Sequence, residues 1–384
     1  MVAEISLCVV LLAGAGLLLK SFVRLSGVDP GFRTANLLTF EYRVPRTRYP
    51  SAERQWNFHW QVVQRVRALP GVGSASAVFA LPFSGNGGQT TFVLPDRPEP
   101  PRGSELTALV NRVAPGLFEA LRVPLVGGRF IDERDHVGSA SVAVISRTFA
   151  QRYWPGQDPV GRSIRLPEFQ NAVVAIAGVV GDIRHRQLED RQQVQIYLPF
   201  AQHPHIFSTV VVETQGDPMS FANAVRHAVW SVDKDQPVWK VRTLESLVNT
   251  YLAWRGFLPR IVSGFAAFAL LLAALGIFGV ISYSTARRTR EFGLRIAVGA
   301  MPRDVLRLVL EDGLRLTAAG VGLGIPGALI LSRLLETQLY AVSPTDPATF
   351  ATVALLLALV SLVACYLPAR RALRADPVAA LRHE

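Results

Sequence analysis

Residues 261–283 read IVSGFAAFALLLAALGIFGVISY, a run without one charged side chain, and residues 287–300, shortly after it, read RRTREFGLRIAVGA. The first stretch can cross the hydrocarbon core of a bilayer as a helix, since about 20 apolar residues suffice. The second is densely basic, with Glu291 and Arg295 at i,i+4 spacing and Phe292, Ile296 and Ala300 on one face. Pro302 then fits the first position of a further helix, where its missing N–H leaves no bond unmade. An amphipathic element held between two spans lies at a membrane surface, where another protein can push on it. That layout points to coupling rather than to catalysis.

Composition agrees with a membrane protein. Of 384 residues, 50% are hydrophobic, and the formal net charge is +11. Lysine occurs only as Lys20, Lys234 and Lys240, so the positive charge is almost all arginine. A basic chain can bind nucleic acid, but several of these arginines flank apolar runs, where cytoplasmic-loop charge accounts for them better. No nucleic-acid partner is expected. The two cysteines, Cys8 and Cys365, fall inside apolar runs near opposite ends of the chain, so no disulfide framework is indicated.

Four apolar segments stand out: Ile5–Leu19, Ile261–Tyr283, Leu316–Leu331 and Ala348–Leu367. The expected organisation is a first transmembrane helix in 1–23, an extramembrane α+β domain over 24–259 and a permease-type domain over 260–384. Spans are expected near 261–283, 313–332 and 347–368. The first segment can also be read as a signal peptide. Against that, no basic stretch precedes it and no small-x-small cleavage site follows it, while Val2, Ala3 and a snorkelling Lys20 can lengthen it into a span. Because the sequence begins almost within the membrane, further chain upstream of Met1 is expected.

Arginine in the short loops sets the orientation. Between the second and third spans stand Arg287, Arg288, Arg290, Arg295, Arg303 and Arg307. Between the third and fourth only Arg333 appears, against Glu336 and Asp346, and Arg370, Arg371, Arg374 and Arg382 follow the fourth. Both arginine-rich segments are therefore expected in the cytoplasm and the large domain outside. Lys20, Arg24 and Glu4 around the first span point the other way, but long domains cross largely regardless of local charge.

Within the outer domain, Leu37–Val44, Ser74–Phe79, Leu106–Val113, Ser139–Ile145, Val173–Val180 and Thr209–Glu213 read as strands. Helices are expected over Ser51–Leu69, with Ser51 as N-cap, near Arg147–Trp154, and over Asp217–Val232, where Phe221, Val225 and Val229 recur at i,i+4. The irregular order of strands and helices suits an α+β domain, in one piece or two subdomains.

No catalytic set emerges. A Walker A loop needs Gly-Lys-Ser/Thr, and none of the lysines follows a glycine. His203 and His205 flank Pro204 without an acidic or thiolate partner at helical spacing, so no metal or other cofactor is expected. Asp132, Glu133 and Asp135 are interrupted by Arg134 and read as a solvated turn. Ser84-Gly85 does not extend to a nucleophile elbow. Gly320 and Gly324 form a small-xxx-small pair suited to close helix packing, either within the subunit or with a second one.

Taken with these features, residues 290–300 resemble the cytoplasmic loop of ABC transporter permeases of the macrolide-exporter and cell-division permease group (MacB-like, FtsX-like). The run from Pro368 to Arg371 and the Asp376-Pro377 ending resemble the way such permeases finish. Gly127-Gly128-Arg129-Phe130, Tyr153-Trp154-Pro155-Gly156, Gly178–Asp182 and Ile196–Pro199 resemble the periplasmic core domain of that family. The likeness runs over essentially the whole chain and is similar above all to acidobacterial-type duplicated permeases, of which this would be the C-terminal half. It implies a multi-pass inner-membrane protein with its large domain periplasmic. It also implies a separate cytoplasmic ABC ATPase dimer, and a second permease half or a homodimer partner. Coupling to that ATPase would fall on Arg288, Glu291, Phe292, Gly293, Leu294, Arg295, Gly299 and Asp304, with anionic lipid contact as the other use of the same arginines. A membrane-anchored sensor that activates an envelope hydrolase is the competing function, and an anchored outer enzyme a third.

Overall fold

The structure is a computed structural model that describes residues 1–98, 100, 101, 103–189, 193–288, 291, 292, 294, 295, 298 and 301–373, with backbone alone for Pro302 and 371–373. It divides into two compact units, one formed by Met1–Gly27 with Ala253–Glu384 and the other by Val28–Leu252.

The chain opens with helix α1 (Val2–Ser26). In the second unit, β1 (Leu37–Arg43) is followed by α2 (Ala52–Arg67), β2 (Val72–Val78), β3 (Gly88–Phe92) and β4 (Leu106–Val113). Next come the short α3 (Leu117–Ala120), β5 (Leu125–Gly128), β6 (Val142–Ser146), α4 (Arg147–Tyr153), β7 (Ser163–Leu166) and β8 (Ala172–Val180). The domain ends with β9 (Gln195–Pro199), β10 (Phe207–Thr214), α5 (Ala222–Trp230), β11 (Trp239–Thr243) and α6 (Leu244–Arg255). The Ser51 side chain accepts the Arg54 N–H and starts α2, and the Ser146 side chain does the same for Phe149 in α4.

Among the described residues, eleven strands join one mixed sheet in the order β11-β1-β10-β2-β4-β9-β6-β8-β5, with β3 on β4 and β7 on β8. The expectation of one piece or two subdomains has a physical counterpart at the β2–β4 joint. There the ladder narrows to the single pair Val78–Val113, whereas β1 and β10 pair along seven positions. On one side of that joint, Leu38, Phe40 and Tyr42 of β1 pack with Phe58, Val62 and Val66 of α2 and Val225 and Val229 of α5. On the other side, Phe92, Phe149, Trp154, Ile164 and Ile196 form a separate core. Leu37, Val78, Val113, Phe118 and Val211 form a third cluster on residues drawn from both sides of the joint.

In the first unit, α1 is joined by α7 (Phe257–Arg287), α8 (Pro302–Leu334) and α9 (Pro347–Leu373). All four are long and apolar enough to cross a membrane. The 25 residues of α1, the shortest of the four, cover the ~30 Å hydrocarbon core at ~1.5 Å per residue. The protein is thus an α-helical membrane protein with four transmembrane helices and a large α+β domain. In the bundle α1 packs on α7 and α8, and α9 packs on the same two helices. Phe265, Phe268, Leu271 and Leu275 of α7 face outward, as side chains in contact with lipid must.

Two glycines set the α1–α8 distance. A Cβ at Gly320 would stand 2.5 Å from Ile5 Cγ2, and one at Gly324 would stand 2.7 Å from Val9 Cβ. The Ser6 hydroxyl donates to the Gly320 carbonyl at 2.9 Å. These glycines therefore pack on the first helix of their own chain, while a Cβ at Gly322 would meet nothing. At the other end of α1, Lys20 Nζ lies 2.7 Å from Asp346 Oδ2, and the same carboxylate accepts the Thr349 N–H at the start of α9. Lys20, expected to snorkel, is instead ion-paired.

Two outcomes follow. Gly320→Val forces α1 and α8 apart and should cost about 1–3 kcal/mol, read as a lower melting temperature in detergent, whereas Gly322→Val should melt like the parent. In the outer domain, His59 is buried between Tyr42 Oη and the His205 carbonyl, and burial lowers its pKa to about 4. His185 is buried likewise and also lowered to about 4. The unfolded chain binds more protons than the folded one between pH 6.5 and 4, so stability is full above that window and falls through it. Denaturant unfolding followed by tryptophan fluorescence should lose up to about 3 kcal/mol per buried histidine across it.

Candidate functional site

The basic segment is built from the ends of α7 and α8. Helix α7 closes at Arg287, where the Arg288 N–H bonds back to the Ser284 and Thr285 carbonyls. Glu291, Phe292, Leu294 and Arg295 are helical, with Phe292 N–H on the Arg288 carbonyl at 2.9 Å and Val298 N–H on that of Leu294 at 3.0 Å. Helix α8 then starts at Pro302, in the first helical position expected for it. Gly293 and Gly299, expected to permit close approach to a partner, lie outside the described residues, as do Arg290, Ile296 and Ala300.

Glu291 is the electrostatic centre. Its Oε2 lies 2.9 Å from Arg288 Nε and its Oε1 lies 2.7 Å from Arg295 Nη2. Arg288 also reaches across to Asp312 of α8, with Nη1–Oδ2 at 3.3 Å. The guanidinium of Arg295, one of the expected coupling residues, is thus held by Glu291, the neighbour one helical turn away that the i,i+4 spacing indicated. All of these side chains are between about a third and a half exposed, so water screens each pair and leaves it weak. Pairs so weak can exchange for intermolecular ones at little cost.

Phe292 faces the opposite way. It is 5% exposed and belongs to one buried cluster with Ile277 and Ile281 of α7, Val305 and Val309 of α8, Ile5 of α1 and Ala364 of α9. The Arg288 guanidinium lies over its ring at 5.8 Å. Phe292 therefore anchors the segment to all four spans and offers no side chain to a partner. Asp304 is likewise occupied, its Oδ2 accepting the Met301 N–H at 3.0 Å to cap α8. Leu294 stays out at 58% exposed, and Val298 and Met301 are exposed at 86% and 66%. Leu294 was among the coupling residues expected from the resemblance, whereas Val298 and Met301 were not, and the only signal for them was their apolar character in a basic stretch.

Among the described residues this arrangement presents donors, acceptors and exposed apolar side chains, a combination that suits protein docking. Elsewhere, among the described residues, no group of three or more His, Cys, Asp or Glu side chains is placed to hold a metal. His203 packs edge-on against Phe169, and His205 lies between Phe79 and Phe207; burial lowers both to about 4. The acidic run 132–135 is not the solvated turn expected. Asp135 is buried and held by both Arg129 Nη atoms at 2.7 Å, and Arg134 folds back onto Asp132 at 2.7 Å.

Two family models match the chain. The MacB-like periplasmic core domain covers residues 6–228 and the FtsX-like permease C-terminal domain covers 263–377. Among curated relatives, the macrolide export ATP-binding/permease protein MacB of Azoarcus sp. (strain BH72) is 29% identical over 284 residues. That match covers 68% of this chain and 40% of the relative. The pyoverdine export ATP-binding/permease protein PvdT of Pseudomonas syringae pv. tomato (strain ATCC BAA-871 / DC3000) is 27% identical over 268 residues, covering 68% of this chain and 40% of its own. The chain thus spans about two fifths of the length of the relatives it matches. Among solved structures, the periplasmic region of MacB from Actinobacillus actinomycetemcomitans aligns at a TM-score of 0.41 and 12% identity, over 59% of this chain and 97% of that one.

The opposite orientations of Phe292 and Leu294 separate two roles by mutation. Phe292→Ala empties a buried site and should destabilise the detergent-solubilised protein by about 3 kcal/mol, seen as a lower melting temperature. Leu294→Ala should leave that temperature within the error of the measurement.

Proposed function

The chain belongs to the ABC transporter permeases that combine a MacB-like periplasmic core domain with an FtsX-like permease domain, and from that premise we propose that it is a non-catalytic permease unit of an ATP-driven export or mechanotransmission complex. A cytoplasmic ABC ATPase dimer docks on the 288–304 segment, and nucleotide-driven closure tilts the spans and moves the outer domain. The protein sits in the inner membrane with that domain in the periplasm and acts beside a second permease half or a second copy of itself. The relatives named above are exporters of a macrolide and of pyoverdine, and export is the class of work proposed for this chain as well.

The observation that carries the reading is the two-sided build of the coupling segment. Phe292 is seated among residues of all four spans, so a force on the segment is delivered to the whole bundle. On the other side, Leu294, Val298 and Met301 are exposed beside a labile Arg288–Glu291–Arg295 network, which gives a partner an apolar strip to cover and charges to exchange. Arg288, Glu291, Leu294 and Arg295 are the contact residues in this scheme. Phe292 and Asp304 hold the segment in shape, Gly293 and Gly299 allow the close approach, and Gly320 and Gly324 serve packing within the membrane.

Photo-crosslinking tests this directly. A crosslinker placed at Leu294 or Val298 in native membranes should capture a nucleotide-binding protein identifiable by its Walker A peptide. The double swap Glu291→Arg with Arg295→Glu keeps an opposite-charge pair within the segment but inverts its field, and should cut capture about tenfold or more. Capture of an envelope hydrolase through the outer domain, with no ATPase at either cytoplasmic position, would favour the sensor–regulator reading instead.

A further inference from the structure

We infer that a cavity of about 650 Å³ in the Val28–Leu252 unit is a binding site for an anionic ligand carrying a phosphate or carboxylate group. Its size falls within the range of small-molecule sites, and its lining is arginine-rich. Arg33, Arg122, Arg147 and Arg184 face it, against Asp29 and Asp182.

The two acids are partly spoken for by backbone donors. Asp29 Oδ1 accepts the Gly31 N–H at 2.9 Å, and Asp182 Oδ1 accepts the Thr148 N–H at 2.8 Å. Two of the arginines are committed as well. Arg33 Nη1 is 3.2 Å from Glu213 Oε1, and Arg184 donates to the Leu188 carbonyl. That leaves Arg122 and Arg147, whose exposed guanidinium groups bond no acceptor among the described residues. Two forked cations without partners on one concavity are the donor set that planar or tetrahedral oxyanions select, through paired N–H···O bonds. A concave wall also strengthens such bonds relative to a flat, fully hydrated surface.

Arg122 follows the short helix α3 with φ of +54°, in the left-handed region that closes a helix: its N–H bonds the Glu119 carbonyl and the Val123 N–H bonds that of Phe118. This C-cap fixes the point at which the Arg122 side chain leaves the chain at the cavity wall. The ligand can be a free phosphorylated or carboxylated solute or the head group of an anionic lipid, since both present the same oxyanion. The site does not depend on the ATPase-coupling reading, and either can fail without the other.

Arginine modification by phenylglyoxal, read by peptide mass spectrometry, tests it on the full chain in phosphatidylcholine nanodiscs. Inorganic pyrophosphate should slow modification of Arg122 and Arg147 about tenfold at low salt, with Arg65 of α2 unchanged as the exposed control. If the same protection appears in nanodiscs containing phosphatidylglycerol without pyrophosphate, the ligand is a lipid head group; protection by pyrophosphate alone assigns a solute. Calorimetry should show pyrophosphate binding weakened about tenfold in Arg122→Gln/Arg147→Gln, two exposed positions whose replacement leaves the fold's melting temperature unchanged. Unchanged modification rates with both probes, or equal pyrophosphate affinity in the double variant, would overturn the assignment.

Discussion

The side chains of Ile5 and Val9 occupy the space that glycine leaves at 320 and 324, and the rest of the membrane unit depends on that contact. Helix α1 is separated from α7 by the whole 28–252 unit, so nothing in the local chain holds it in place. Water offers no hydrophobic drive between helices within lipid, and close backbone approach with a few hydrogen bonds must do the work. The Ser6–Gly320 bond and the Lys20–Asp346 pair fasten the two ends of α1 to elements from the far end of the sequence. With α1 seated, α7 and α8 hardly need to touch each other, and both pack on α1 and α9.

That bundle gives the 287–304 segment its mechanical footing. Phe292 is buried in a cluster to which α1, α7, α8 and α9 all contribute, so the segment is tied into packing shared by helices that start far apart in sequence. Its outward side is the opposite in character, being apolar at Leu294 and Val298 and charged through pairs that water already screens. A firm inner anchor with an exchangeable outer surface is what a force-transmitting contact requires.

The sequence made the spans plain because uncharged runs of some 20 residues have few other uses. Their true lengths were harder to read. Helix α8 begins at Pro302, well before the apolar run at Leu316, because its first turns are amphipathic and are held by Phe292 rather than by lipid. In the outer domain, strands with both faces largely covered, such as β1 and β4, were legible because apolar and β-branched residues predominate in them. Short strands at the sheet margins were not. Leu125–Gly128 and Ser163–Leu166 are four residues each, and the five residues Gln195–Pro199 owe their strand to partners on both sides, β4 and β6. At the segment proposed for coupling, the i,i+4 spacing foretold the Glu291–Arg295 pair, but not that Arg288 joins it and reaches Asp312 as well. Phe292 and Leu294 were grouped together as contact residues, and only packing separates the anchor from the exposed side. Asp312 and the cavity arginines come together from distant parts of the chain, so no local pattern signals them.

The central claim, that the 288–304 segment and the 28–252 domain lie on opposite sides of the inner membrane, is open to a single sidedness measurement. Cys8 and Cys365 are buried, at 0% and 1% exposed, so a cysteine introduced at Val298 or at Val137 reports alone. Val298 and Val137 are 86% and 54% exposed, and both should react freely once the reagent reaches them. With a membrane-impermeant maleimide, V137C should label in intact spheroplasts and V298C only in inverted vesicles. Labelling of both positions from the same side would contradict the account.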